Sequence, residues 1–231
     1  MPDPAPSSAL VVDTSHSPYA RLRPVPLTAV TLTDAFWSPR RRILREVTLP
    51  SQYDLLEETG RIDNFRAAAS KKDVPFLGRY FNHSDVYKWL EAVAWVLAAD
   101  EAAALRGTAE VVIAEVADAQ GADGYLNTYF TGGRAAGRWA NLRDLHELYC
   151  AGHLIQAAVA YRRATGSDRL FHVARRLGRP SHSPRPSPPE APGPAYRSAG
   201  HPLLCLGQPR TGSDARLVAN PVTLIFIILS A

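Results

Sequence analysis

Apolar residues at helical spacing are the feature that most constrains the fold of this chain. One stretch shows them at positions i, i+4, i+7 and i+11: Val86, Leu90, Val93 and Leu97. That spacing puts the four side chains on one face of an α-helix. No stretch shows a convincing apolar–polar alternation of the kind that marks a half-buried strand. The sequence therefore predicts an all-α protein.

Further stripes of the same kind extend this prediction to five helices. They are expected over residues 38–58, 84–97, 101–120, 142–165 and 167–177. Ser38 followed by Pro39 favours a helix start, Pro50 should kink the first helix, and Gly166 is a typical helix end. Such helices pack in antiparallel pairs, which predicts either an α/α barrel or a helical repeat array. No fixed period recurs, which argues against a regular solenoid.

The chain changes character twice along its length. Residues 1–27 are rich in Pro, Ser and Ala and are predicted to be a disordered leader. Residues 28–178 carry the helical pattern. Residues 179–231 are rich in proline at first and end in an apolar run, so they are predicted to be an irregular, disordered tail. The break near residue 178 is abrupt enough to suggest a change of reading frame or gene model.

Composition and sequence features argue against several classes of function. The net charge of +4 is modest and the basic residues are scattered, which gives nucleic-acid binding little support. Cys150 and Cys205 lie too far apart for a disulfide-dense scaffold or a zinc ribbon. The apolar run over residues 222–229 is too short to cross a bilayer, and the N-terminus does not resemble a secretory signal. We therefore expect a cytoplasmic protein with no membrane partner.

The fourth predicted helix carries the most suggestive group of side chains. His146, Cys150 and His153 are spaced at i, i+4 and i+7, and therefore share one narrow face. Three ligands along one straight helix span about 10 Å, so a metal ion could bind at most two of them. The local pattern leaves three interpretations open: half-buried histidines with hydrogen-bond partners, an imidazole that contacts a sugar, and a metal ligand.

Two further groups contain candidate ligand-binding residues. Asp85 follows Ser84 at a predicted helix start, where it could cap the helix or accept hydrogen bonds from ligand hydroxyls at the mouth of a cleft. The loop that contains Tyr125 and Asn127 is rich in aromatic and amide side chains. It could bind a polyhydroxylated ligand, or it could simply pack on its own aromatic residues. No phosphate-binding loop, dinucleotide fingerprint or nucleophile elbow is present.

Four segments in order resemble glycoside hydrolase family 127, the β-L-arabinofuranosidase type. They are VTLTDAFWSPRRRILREVTLP, SDVYKWLEAVAWVLA, AQGADGYLNTYF and DLHELYCAGHLIQAAVAYRRATG. The resemblance covers residues 28–178. It implies the N-terminal part of a catalytic (α/α)6 barrel.

The resemblance also implies an activity and a set of contacts. Family members hydrolyse terminal β-L-arabinofuranosides with retention, using a cysteine thiolate held in a zinc site and a separate glutamate as acid/base. Histidines in the barrel mouth contact the sugar. His146 is the position we carry over from this set. Asp85, Tyr125, Asn127 and His153 lie in the matched segments and are expected to contribute to substrate binding. The partner would be an arabinose-containing glycan.

The resemblance does not extend to the family's catalytic region. The zinc cysteines, the nucleophile and the acid/base have no counterpart here, so we predict no catalytic residue, no metal ligand and no cofactor in this chain. Two functions follow: an inactive fragment of a glycoside hydrolase, or a non-catalytic helical module that binds carbohydrate or a partner protein. In either case the barrel interior would be exposed, which predicts self-association.

Overall fold

A computed structural model describes residue 14 and residues 17–178, and within them it is all-α. The helices are α1 (Trp37–Ile43), α2 (Leu49–Glu58), α3 (Arg61–Ala68), α4 (His83–Leu97), α5 (Ala103–Asp118), α6 (Glu147–Thr165) and α7 (Arg169–Leu177). Two 3-10 turns lie at Leu27–Ala29 and Gly132–Gly137. The described residues contain no strand, which confirms the predicted fold class.

The first predicted helix is present but it is built differently from the expectation. Phe36 rather than Ser38 is its N-cap residue, and the Asp34 carboxylate in the preceding turn accepts the backbone N–H groups of Phe36 and Trp37 at 2.8 and 2.6 Å. A π-helical turn over Leu44–Thr48 joins α1 to α2. Pro50 follows at the start of α2. Because proline has no N–H to donate, the regular hydrogen-bond ladder cannot pass this point, and the wider turn absorbs the break.

One additional helix and one helix boundary differ from the sequence prediction. Helix α3 was not expected, because its sequence is mostly polar and only Ile62 and Phe65 supply large apolar side chains to the core. Helix α6 was expected from residue 142 but begins at Glu147, because His146 adopts a left-handed backbone conformation that a helix cannot contain. The turn before it positions the candidate site.

The core is centred on α4, which packs most extensively against α6 and also against α2, α3 and α5. Its apolar stripe is buried as predicted, with Val86, Leu90 and Val93 fully inaccessible. A hydrogen bond from Trp89 Nε1 to the carbonyl oxygen of Leu49, at 2.9 Å, ties α4 to α2. Helices α5 and α7 close the other side of the core. The arrangement is a partial α/α barrel.

The flanking segments lie largely outside the described residues. The predicted tail, residues 179–231, lies wholly outside them, and so does most of the predicted leader, residues 1–27. Among the described residues, no helix combines the length and apolar character needed to span a bilayer.

Candidate functional site

The candidate site lies where the loop before α6 meets the segment that leads into α4. Its central residue is His146, which immediately precedes α6 with φ 58° and ψ 19°. Its Nδ1 lies 2.7 Å from the carbonyl oxygen of Asp144. Because a carbonyl oxygen only accepts hydrogen bonds, Nδ1 carries the proton. The other ring nitrogen, Nε2, has no partner among the described residues, and it is free to accept a hydrogen bond from a ligand.

Half-buried aromatic rings surround the imidazole of His146. The ring of Phe81 stacks on it with centroids 5.2 Å apart and an angle of 27°. Tyr80 and Tyr149 approach it edge-on, each with centroids 5.7 Å away. The ring centroids of Tyr149 and His153 are 4.5 Å apart, so Tyr149 contacts a histidine on each side. These rings form a partly apolar wall of the kind found in sites for small organic ligands.

A buried carboxylate next to His146 ties the loop to the helix. Glu147 is 3% exposed and accepts hydrogen bonds from the Tyr125 hydroxyl at 2.5 Å and from the Trp139 backbone N–H at 2.8 Å. Burial raises the pKa of Glu147, an effect that the two hydrogen bonds oppose. Burial also raises the pKa of Tyr125, with the Glu147 carboxylate adding to the shift.

The structure places Tyr125 and Asn127 in the packed part of the loop. The Tyr125 hydroxyl faces Glu147, and the guanidinium of Arg138 lies over its ring at 4.3 Å. The Asn127 side chain is buried and accepts the backbone N–H groups of Tyr129 and Phe130 at 2.8 and 3.1 Å. Both side chains therefore shape the loop, as the packing interpretation expected. Their direct contact with a sugar stays a prediction.

Asp85 lies in the first turn of α4, where Asn82 rather than Asp85 is the N-cap residue. Its carboxylate accepts a hydrogen bond from Asn82 Nδ2 at 3.1 Å and lies 3.8 Å from Arg61 Nε and 3.5 Å from Lys88 Nζ. Lys88 Nζ is also 5.3 Å from the ring centroid of Tyr149. Asp85 therefore contacts Lys88, and Lys88 in turn contacts the Tyr149 ring beside His146.

His153 lies further along α6 and is half-buried. Its Nδ1 is inaccessible and lacks a hydrogen-bond partner within the described part of the chain. Burial lowers the pKa of His153 to about 4; the positive charge of Lys88 adds to this effect and the negative charge of Asp85 opposes it. The imidazole is therefore neutral at neutral pH, with an unused polar atom beside the candidate site.

Cys150 is a buried thiol in α6. The side chain is 2% exposed and its thiol donates to the Phe81 carbonyl oxygen, with Sγ and oxygen 3.6 Å apart. Burial raises the pKa of Cys150 to about 12, so the group is a protonated thiol in this packing. Across residues 17–178 no group of three or more His, Cys, Asp or Glu side chains is arranged to hold a metal ion.

Sequence reasoning missed the residue that organises this site. Glu147 lies in the segment DLHELYCAGHLIQAAVAYRRATG, but the sequence does not mark it as a site residue. A glutamate in the first turn of a helix is ordinarily solvated and stabilises the helix dipole. Trp139 and Tyr149 were missed for the same kind of reason, since an isolated aromatic residue in a sequence does not show which neighbours it will contact. Only the docking of the loop onto α6 brings them together.

Fold and site together define a partial barrel of paired helices whose loops carry aromatic, histidine and carboxylate side chains. Residues 29–181 match the model of the β-L-arabinofuranosidase GH127 catalytic domain. The chain belongs to this family.

Individual relatives agree with the family match. The non-reducing end β-L-arabinofuranosidase of Bifidobacterium longum subsp. longum is 32% identical over 173 residues, which cover 64% of this chain and 26% of that protein. The crystal structure of a GH127 β-L-arabinofuranosidase from Geobacillus stearothermophilus T6 has a TM-score of 0.63 at 45% identity, covering 64% of this chain and 25% of that one. A second GH127 β-arabinofuranosidase structure has a TM-score of 0.61 at 35% identity, covering 74% and 27%. The chain spans about a quarter of the length of these relatives.

Proposed function

We propose that residues 28–178 form one wall of the sugar-binding pocket of a retaining β-L-arabinofuranosidase, and that the substrate is an arabinose-containing glycan. The observation that carries this proposal is the imidazole of His146, whose Nδ1–H is held by the Asp144 carbonyl oxygen while Nε2 lacks a partner among the described residues. Membership of the family and the names of the relatives support the choice of sugar.

The chain's own residues bind and orient the terminal sugar. His146 Nε2 accepts a hydrogen bond from a sugar hydroxyl, and the rings of Phe81 and Tyr149 exclude water beside it. His153, a half-buried imidazole that burial keeps neutral at neutral pH, lies beside this wall. These residues position the substrate, and no proton transfer is assigned to them.

We further propose that the 231-residue polypeptide by itself binds the sugar without hydrolysing it. The cysteine nucleophile, zinc ligands and acid/base that the family resemblance implies have no counterpart in its matched segments. Cys150 is a buried thiol, and the described side chains do not fit a zinc ion. No step of the reaction is therefore assigned to these residues.

Titration with methyl β-L-arabinofuranoside, followed by NMR, tests the binding role. His146→Ala should abolish the shifts, whereas His172→Ala, which removes an exposed histidine on α7, should leave them unchanged. Binding that survives in His146→Ala, or binding in neither protein, would contradict the proposal. In parallel, the protein is incubated with zinc and a chromogenic β-L-arabinofuranoside. Turnover that Cys150→Ala abolishes would show that the chain does carry a nucleophile.

We also propose that the chain self-associates through the open side of α6. Leu148 is 39% exposed, and Ile155, seven residues further along the same face, is half-buried. In a closed barrel this face would pack against a further helix. Light scattering after gel filtration should show a dimer or larger species that Leu148→Glu dissociates. The control Val111→Glu, on the exposed side of α5, should not change the mass. A monomeric wild type would contradict this proposal.

A further inference from the structure

A cleft of about 390 Å³ lies beside the candidate site and has no role in the function proposed above. Its walls come from α3, from the segment before α4 and from the loop before α6, and include Asn64, Phe76, Thr128, Thr131 and Arg134. The volume falls within the range of small-molecule sites, roughly 300–1,000 Å³. Of these five residues, only Thr128 lies in the loop that the sequence indicated as a possible contact for a polyhydroxylated ligand.

The cleft wall contains a buried hydroxyl without a partner. Thr128 is 3% exposed, and its Oγ1 makes no hydrogen bond within residues 17–178. The neighbouring Asn64 side chain pairs with the backbone of Leu77, donating to its carbonyl oxygen at 2.9 Å and accepting its N–H at 3.0 Å. A buried polar group that lacks a partner destabilises the fold, and a ligand hydroxyl that pairs with it removes that penalty.

The rim of the cleft adds donors and an aromatic ring. Arg134 is exposed, and its guanidinium lies 5.4 Å from the ring centroid of Phe76 and 4.5 Å from that of Tyr129. Its Nε donates to the Tyr129 carbonyl oxygen at 2.7 Å. This bond and the two ring contacts hold the guanidinium in place, while its terminal N–H groups have no hydrogen-bond partner among the described residues. An ordered guanidinium of this kind can donate to ligand oxygens.

A continuous series of rings joins the cleft to His146. The centroids of Phe76 and Tyr129 are 5.1 Å apart, those of Tyr129 and Tyr80 are 6.3 Å apart, and those of Tyr80 and His146 are 5.7 Å apart. All of these rings are half-buried. These rings provide a partly apolar path along which a ligand held at His146 can extend toward Thr128 and Arg134.

We infer that this cleft binds a further sugar unit of the same glycan, beyond the terminal arabinofuranose at His146. The inference rests on the proposed function. If His146 holds the sugar at the non-reducing end, the remaining units must leave the site along some surface. The cleft offers hydroxyl and guanidinium partners for sugar oxygens and the Phe76 ring for the apolar face of a sugar.

The test compares two ligands by NMR titration: methyl β-L-arabinofuranoside, and a trisaccharide that ends in a β-L-arabinofuranosyl unit. The trisaccharide should bind about tenfold more tightly, because it adds hydrogen bonds to a charged group and to an unpaired hydroxyl. Arg134→Ala and Thr128→Val should each reduce or abolish this advantage and leave the affinity for the single sugar unchanged. Arg42→Ala, an exposed arginine on α1, is the matched control and should change neither affinity.

The outcomes separate this inference from the proposed function. Equal affinities for the two ligands in the wild type would overturn the cleft as a sugar site and leave His146 in place. An advantage that persists in both Arg134→Ala and Thr128→Val would overturn it too. Binding of neither ligand would overturn the inference together with the proposed function. Because Arg134 is exposed, its removal should not unfold the protein, and circular dichroism of each variant checks this.

Discussion

A buried carboxylate in the middle of α4 makes a pH-dependent contribution to stability that one substitution should remove. Glu91 is 4% exposed, and its only hydrogen bond within the described residues comes from Trp95 Nε1, 3.4 Å from Oε1. Its Oε2 has no partner in the same part of the chain. Burial raises the pKa of Glu91 from its ordinary value of 4.5 to about 6, and the bond from Trp95 opposes the shift only in part.

The size of the effect follows from this shift. Each pKa unit corresponds to about 1.36 kcal/mol, so ionised Glu91 lowers the free energy of unfolding by about 2 kcal/mol. Because the folded pKa lies above the unfolded one, the folded protein binds more protons between pH 4.5 and about 6. Stability therefore falls as the pH rises through this window. The penalty is complete above pH 6 and absent well below pH 4.5.

Glu91→Gln keeps the shape of the side chain and removes the charge. At pH 7.5 the variant should melt about 4–8 °C higher than the wild type, since about 2 kcal/mol shifts the midpoint of a domain of this size by that amount. At pH 4 the difference should vanish. Differential scanning calorimetry at both pH values measures it, with the exposed Glu58→Gln as control. An equal difference between Glu91→Gln and wild type at the two pH values would refute the reasoning.

Three further perturbations test the packing around the site. Glu147→Ala leaves the Tyr125 hydroxyl and the Trp139 N–H unpaired and should lower the free energy of unfolding in urea by about 3 kcal/mol; a loss below about 0.5 kcal/mol would contradict the role of this carboxylate. Leu154→Ala opens a cavity at a fully inaccessible position of α6 and should lower the same quantity by about 2–5 kcal/mol. Cys150 should not react with a thiol reagent at pH 8 until the protein unfolds, because its thiol is buried and its pKa is about 12; fast labelling of the native protein would contradict this.

The apolar spacing predicted those helices whose buried faces are continuous. The stripe of α4 is buried as expected, and α5 and α7 lie within the predicted ranges. Gly166 ends α6 in a left-handed conformation, as its position indicated. The short helix α3 escaped prediction because its helical state depends on tertiary contacts, in particular the two hydrogen bonds between the Asn64 side chain and the backbone of Leu77.

The candidate site was predictable only in part, for a related reason. His146 could be singled out because its spacing to Cys150 and His153 is conspicuous and its segment resembles the family. The turn that presents it could not be found, since Asn141 and Asp144 pair with each other before the helix and the chain then enters α6 through a left-handed residue. Residues other than glycine seldom adopt that conformation, so the sequence did not indicate it at His146.

Strained backbone is concentrated at this turn, and one carboxylate holds it there. Trp139 and His146 both have a φ near 60°, a conformation that costs a non-glycine residue of the order of 1–3 kcal/mol. Glu147 is covalently next to His146 and accepts the N–H of Trp139. Its third contact, the Tyr125 hydroxyl, anchors the same carboxylate to the start of the loop. Glu147 therefore links the loop to the start of α6, while the Asp144 carbonyl oxygen and the Phe81 ring hold the His146 imidazole.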